Sequence, residues 1–182
     1  MKSQLLITAT GQDRPGIVAR ITAVLIEHGA NLEDSRMALL GGEFAAIMLV
    51  SVEAERVDSM SRALGALASE GITVSARQTA AFDPDRFRGY LTCELTVSGA
   101  DHEGIVHEIA RFLKDQSINI QSMDSKIVSA PVTGTPLFCM RATVQVPPAL
   151  SISDLRRNLT AVGDKESVDI ELIEEPVASP RA

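Results

Sequence analysis

The sequence predicts an α+β chain built as two ferredoxin-like βαββαβ sandwiches, each laying two helices on one face of a four-stranded antiparallel sheet. Three observations carry this reading. The chain aligns with itself at an offset of 88 residues, Leu5 to Arg36 on Cys93 to Asp124 without a gap. Nine positions of those 32 are identical, Thr8, Gly11, Asp13, Gly16, Ile17, Val18, Ile21, Leu25 and Asn31 in the first copy, where about two are expected by chance. Within each copy the apolar period switches from two to 3.6 and back.

The elements follow in order. Leu5, Ile7 and Ala9 alternate with Leu6, Thr8 and Thr10, a half-buried strand whose face Leu91, Cys93, Leu95 and Val97 repeat. Ile17, Val18, Ile21, Val24 and Leu25 then form one helical stripe, repeated by Ile105, Val106, Ile109, Phe112 and Leu113. Pro15 suits the first turn of that helix and Gly29 its end. Asn31 to about Leu40 is extended, Gly41-Gly42 turns the chain, and Phe44 to Val52 returns as a strand, making a hairpin. A second helix is expected from about Glu55 to Glu70, with Val57, Met60, Leu64 and Leu67 inward. A strand through Ile72, Val74 and Ala76 closes the module. In the second copy Phe138 to Val146 matches Phe44 to Val52 after about six extra residues around positions 129–136, whose Pro and Gly predict a loop. Its second helix is expected to be shorter, Ser153 to about Val162, and Val168, Ile170 and Leu172 end the module. The expected divisions are a first domain at 1–80, a charged, Pro-containing linker at 81–89, a second domain at 90–173 and a frayed tail at 174–182.

Composition narrows the function. Seventeen Lys and Arg against 24 Asp and Glu leave a net charge of −7, which disfavours phosphate backbones and anionic membranes. Aromatic residues are only 3 % and Trp is absent, so stacking platforms for single strands lack material. No helix-turn-helix pattern or basic stripe is present, predicting no direct DNA binding. No apolar run approaches the roughly 20 residues of a membrane span; a soluble, cytoplasmic protein without membrane contact is expected. Cys93 and Cys139 have no metal-ligand spacing and read as reduced core thiols, although strands adjacent in the sheet leave a bridge conceivable. His28, in the last turn of its helix, and His107, on a helix flank, read as surface residues. The motifs of serine hydrolases, zinc proteases, P-loops, redox CxxC and dinucleotide sites are missing, so no catalytic residues, metal ligands or cofactor are expected.

The most distinctive local feature is the first β–α loop, GQDRPGIV (11–18) with its repeat GADHEGIV (99–106). Gly11 and Gly99 are read as turning the chain out of the strand, Asp13 and Asp101 as helix caps, and Gly16 and Gly104 as clearing an approach to the backbone. A helix N-terminus there suits a small carboxylate or phosphate. The same residues equally suit a plain turn. Arg14 could bind a carboxylate or remain solvated, and Asn31 and Asn119 could serve a ligand or a turn.

The segment DRPGIVARITAVLIEHGANLEDSRMALLGGEFAAIMLV (13–50) resembles the ACT domain, a regulatory amino-acid-binding module. NLEDSR (31–36) followed by GGEF (41–44) is similar to the tandem-ACT group of glycine cleavage system transcriptional repressors. The resemblance extends over nearly the whole chain, with departures at His102, Glu103 and the IQSMDSK segment of the second copy. It implies a non-enzymatic sensor of a small amino acid, glycine first, that represses glycine-cleavage genes by contacting a transcriptional activator protein. It also implies ligand positions at Gly11, Asp13, Arg14, Pro15, Gly16 and Asn31, and at Gly99, Asp101, Gly104 and Asn119. The alternative is a regulatory module of other amino-acid or one-carbon metabolism, related to the ACT-like start of formyltetrahydrofolate deformylase; the repeated second module, where that enzyme needs a hydrolase domain, argues against it. Because the first two strands of a module run parallel, its loop and its Asn are expected at opposite ends of the sheet. Sites using both would join two modules edge to edge, within one chain or between the chains of a homodimer.

Overall fold

The computed structural model of the chain describes residues 1–79, 83, 85–130 and 134–175. It divides into two compact units, Met1–Phe82 and Asp83–Ala182.

In the first unit the alternating run becomes β1 (Lys2–Gln12), and the 3.6-period stripe becomes α1 (Ile17–Glu27). An edge strand β2 (Asn31–Leu40) turns through Gly41 and Gly42, both at positive φ, into β3 (Glu43–Glu53). Next come α2 (Val57–Gly65), flanked by 3-10 turns at Ala54–Arg56 and Ala66–Glu70, and β4 (Thr73–Gln78). The sheet order is β2-β3-β1-β4, all neighbours antiparallel. The second unit repeats this with β5 (Leu91–Ala100), α3 (Ile105–Asp115), β6 (Asn119–Ser129), β7 (Pro136–Val146), α4 (Ile152–Glu166) and β8 (Val168–Glu174), ordered β6-β7-β5-β8.

The repeat is kept to the residue. Gly11 faces Phe44 as Gly99 faces Phe138, and Asn31 faces Ser51 as Asn119 faces Gln145. The edge strands β2 and β6 carry a bulge at the same place, Glu33 and Gln121. Each unit has its own core. In the first, Leu5, Ile7 and Ala9 meet Ile17, Ile21, Val24 and Leu25, with Met60, Leu64 and Leu67 closing the same layer.

Several sequence expectations change. Val18 is exposed and only its four companions are buried, because a helix on a sheet buries a narrower stripe than the run suggests. In α3, Val106 and Phe112 are only partly buried beside Ile105, Ile109 and Leu113. Pro15 lies outside α1, whose N-cap is Gly16. Gly29 does end α1: at φ 64 it donates to Ile26 O, while the Ala30 N–H reaches Leu25 O, each at 2.9 Å, a Schellman closure. The helix expected to be shorter in the second copy is instead a continuous 15-residue α4. Gly163 does not stop it; that glycine is buried inside the helix, where a Cβ would stand 2.5 Å from Val168 O as β8 crosses. The start of the expected tail is also ordered, since Glu174 pairs with Cys93 and the Glu175 N–H donates to Thr92 O. Residues 176–182 lie outside the described residues. So do residues 80–82 and 84 of the linker region, whose described part turns through Arg86 N–H to Asp83 O and Tyr90 N–H to Phe87 O. In the inserted loop, residues 131–133 are likewise outside, between bonds joining Ala130 to Thr135 and to Gly134.

Candidate functional site

The β1–α1 loop is built by three constraints, not all of them those the sequence suggests. Gly11 sits inside β1 and does not turn the chain. A Cβ there would lie 2.5 Å from Gly71 O, so glycine lets the backbone entering β4 come close. Gly99 answers the same need, with Ser167 O and Val168 Cα at 2.8 Å. The loop is then tied to the hairpin turn by Asp13 N–H to Gly42 O at 3.0 Å, matched by Asp101 N–H to Pro136 O at 3.2 Å. Finally the chain enters the helix through a left-handed residue, Gly16 at φ 97 and Gly104 at φ 100. Nothing lies within 4 Å of a Cβ at either glycine, so the backbone angle, not crowding, selects glycine there.

This entry corrects the capping role. Neither Asp13 nor Asp101 caps its helix; Gly16 and Gly104 hold the N-cap positions, with no side-chain acceptor. The first-turn amides of α1 and α3 therefore receive no side-chain cap from the loop's own carboxylates.

Arg14 is committed within its unit. Its Nη2 donates to Glu70 O at 2.6 Å, at the end of the 3-10 turn that follows α2. The equivalent of Arg14 is His102, and its Nε2 meets Glu166 O at 2.6 Å, at the end of α4. The departure from Arg to His therefore preserves one contact, a side chain from the first loop satisfying a carbonyl where a cation is favoured. The His102 Nδ1 lies 3.0 Å from Glu103 O. Bonding to these carbonyls, Glu166's above all, raises the imidazole pKa above its ordinary value.

Beside each loop a clasp joins the two helices, with its charges reversed between units. In the first, Arg20 Nε donates to both carboxylate oxygens of Glu70 at 2.9 and 3.0 Å, and this holds the Glu70 carboxyl below its usual range. In the second, Glu108 occupies the place of Arg20 and accepts from Lys165 Nζ at 2.9 Å and from Arg111. These two cations, Lys165 first, draw Glu108 down to about 2.

Asn31 and Asn119 open the edge strands, away from the loops. Asn31 is level with Gln4 across Ser51, whereas Gly11 is level with Leu39 across Phe44. Seven residue steps of β1 separate the two levels, about 23 Å. Neither unit thus brings its Asn to its own loop, as the parallel course of β1 and β2 demands. Asn119 Nδ2 donates to Gln145 Oε1 at 2.8 Å. In the first unit Gln4 Nε2 reaches Glu33 Oε2 at 2.9 Å, spanning β3 over Ser51, which is buried. In the second unit the loop borders a cleft of about 470 Å³ between α3 and β6, lined by His102, Gly104, His107, Lys126, Ile127 and Phe138 among others.

Comparison with known proteins places this arrangement. The ACT domain matches residues 3–76, nearly all of the first unit, and the second unit repeats the first strand for strand. The first unit belongs to the ACT-domain family. It is 60 % identical over 47 residues to the glycine cleavage system transcriptional repressor of Escherichia coli strain K12, a match covering 26 % of this chain and 25 % of that protein. Thus the chain spans only a quarter of the length of that curated relative. Over 93 % of its length it is 29 % identical to the phosphoserine phosphatase SerB2 of Mycobacterium tuberculosis, of which it covers 40 %. A solved structure of an unknown protein from Galdieria sulphuraria is 34 % identical, with a TM-score of 0.83 over 97 % of this chain and all of that one.

The remaining candidates lie apart from the loops of the two units. Cys93 and Cys139 are both free thiols, but only Cys93 is a core residue. Its thiol pKa is pushed up by burial. Cys139 stands opposite Ser98 on the half-exposed side of the sheet, five residues along β5 from Cys93, too far for a bridge. His28 is half-buried, its Nδ1 2.9 Å from Val24 O, and His107 is exposed. Among the described residues no group of His, Cys, Asp and Glu could hold a metal ion, and no helix is long and apolar enough to cross a membrane. The Arg14–Glu70 and His102–Glu166 contacts join residues 56 and 64 apart and carry no local motif. The only available signal was the alignment of His102 with Arg14.

Proposed function

We propose that this chain is a non-enzymatic regulator that senses a small amino acid, glycine first among candidates. It would repress glycine-cleavage genes by contact with a transcriptional activator protein, not by reading DNA. The observation that carries the sensing half is the duplicated loop. Twice, a left-handed glycine delivers the chain into a helix whose first turn has no side-chain cap, an arrangement suited to a carboxylate. In this reading Gly11, Asp13, Arg14, Pro15 and Gly16, and Gly99, Asp101 and Gly104, shape the two loops. Asn31 and Asn119 lie too far along the sheet to touch a ligand on the loop of their own unit. The similarity to the E. coli repressor supports the regulatory half, and the net charge of −7 supports a protein partner over DNA.

The match to SerB2 over nearly the whole chain favours a second reading, a regulatory ACT pair of another branch of amino-acid metabolism. A thermal-shift screen separates the two. A ligand that binds only the folded chain at one hundred times its Kd adds about 2.7 kcal/mol of stability. Stabilisation by glycine supports the first reading, and stabilisation by serine or phosphoserine supports the second. If no amino acid at millimolar concentration moves the melting temperature, sensing by this chain is refuted. Tight, sequence-selective DNA binding by the isolated protein would refute repression through a partner.

A further inference from the structure

The two loops are fastened to the ends of their second helices by different chemistry. Arg14 is a cation at every pH a protein meets, so its bond to Glu70 O is permanent in that respect. At His102 both ring nitrogens face carbonyl oxygens, Glu166 O at 2.6 Å from Nε2 and Glu103 O at 3.0 Å from Nδ1. Carbonyls only accept, and a neutral imidazole carries a single N–H. Only the doubly protonated ring satisfies both contacts. In either neutral tautomer, one nitrogen lone pair opposes a carbonyl oxygen.

We infer that His102 is a proton-operated latch: doubly protonated, it pins the Asp101–Gly104 turn to the end of α4, and loss of one proton loosens that turn. The second loop therefore responds to pH where the first does not. This deepens the sensing proposal, since it gives one of two otherwise matched candidate sites a pH dependence.

The charges around the ring fit this role. Asp101 and Glu103 on the same loop and Glu166 on α4 favour the cation, and Glu166 and Asp101 act directly on its titration. Against it stand Lys126 from β6, which lines the same cleft, and His107 from α3 when protonated. Lys165 and Arg111, the other nearby cations, are paired with Glu108. Because the folded ring holds its proton more strongly than the free side chain, the latch is fully engaged below the ordinary pKa of 6.5. It is lost as pH rises through the higher folded value.

The test uses the full chain without ligand. Nitrogen-15 NMR of the His102 ring follows its protonation from pH 5.5 to 9. Amide exchange at Ile105 and Val106 is compared with exchange at Ile17 and Val18 in the same molecules, so that the common base catalysis cancels. The expected result is an imidazolium that persists above pH 6.5, with protection of the second loop falling several-fold relative to the first as the proton leaves. His102→Arg should hold that ratio constant across the range. Titration at or below 6.5, or a pH-independent ratio in the wild-type chain, would overturn the latch; the wild-type data decide this even if the variant misfolds. Failure of the amino-acid screen alongside a titrating latch would refute sensing alone.

Discussion

Replacing a strand glycine by alanine normally raises stability by about 0.5–1 kcal/mol, because the unfolded chain loses freedom. For Gly11→Ala the expected sign is reversed. The new methyl would lie 2.5 Å from Gly71 O, roughly 1 Å inside ordinary van der Waals contact, and the obstacle is backbone that no rotamer change can move. Relief requires the start of β4 to back away, at the point where Thr10 pairs with Thr73. Such overpacking costs about 1–3 kcal/mol, and subtracting the entropic gain leaves a net loss of about 1–2 kcal/mol. For a unit of this size that corresponds to roughly 5–15 °C in melting temperature. Gly99→Ala, which meets two backbone atoms and a Val168 methyl at 2.8 Å, should act alike in the second unit. Calorimetry of the full chain reads both. A neutral or stabilising Gly11→Ala would refute the close-approach argument and restore the simpler role of a turn residue.

Other expectations follow from the places where the copies differ. Ser117 and Ser167 have φ of 58 and 55 at the helix exits where the first unit has Gly29 and Gly71, so Ser117→Gly and Ser167→Gly should each stabilise the second unit by about 0.5–1 kcal/mol, read as a rise in its urea midpoint. Glu108, held down to about 2, contributes stability above its ordinary pKa of 4.5 that is lost as pH falls toward 2; Glu108→Gln should flatten the acid limb of the stability profile, and an unchanged limb would refute the clasp. For any amino acid held by the first loop, Asn31→Ala should leave the Kd unchanged, as read by calorimetric titration. A weakened Kd would show that each module binds alone.

What the sequence disclosed, and what it hid, follows from the range of the interactions. β2 was legible because Asn31 comes just after the Gly29-Ala30 helix exit and Gly41-Gly42 admits little but a tight turn. The duplication disclosed the element order, since one module's alternation of periods confirmed the other's. The helix starts were misplaced because Pro15 and Asp13 are good N-terminal residues by local preference, while the actual entry depends on Gly16 adopting a left-handed angle. α4 runs past Val162, where it was expected to end, because the close crossing of β8 over Gly163 is not visible from the helix's own residues. The bulges at Glu33 and Gln121 are properties of a ladder and leave no periodic trace. At the candidate site the glycines were found for partly wrong reasons, and the actual partners of Arg14 and His102 are long-range backbone carbonyls that no side-chain motif announces.

The reversed clasp between the helices bears on how a duplicated chain avoids confusing its halves. Two modules of the same topology and similar cores could exchange helices while folding, a common hazard of repeated sequences. Packing α3 against the end of α2 would set Glu108 toward Glu70 and replace attraction by repulsion, while packing α1 against α4 would set Arg20 toward the Lys165–Glu166 pair, where a cation is already in place. Singly, such exposed pairs contribute little to stability. As opposite keys on two otherwise interchangeable parts, they mark which helix belongs to which sheet.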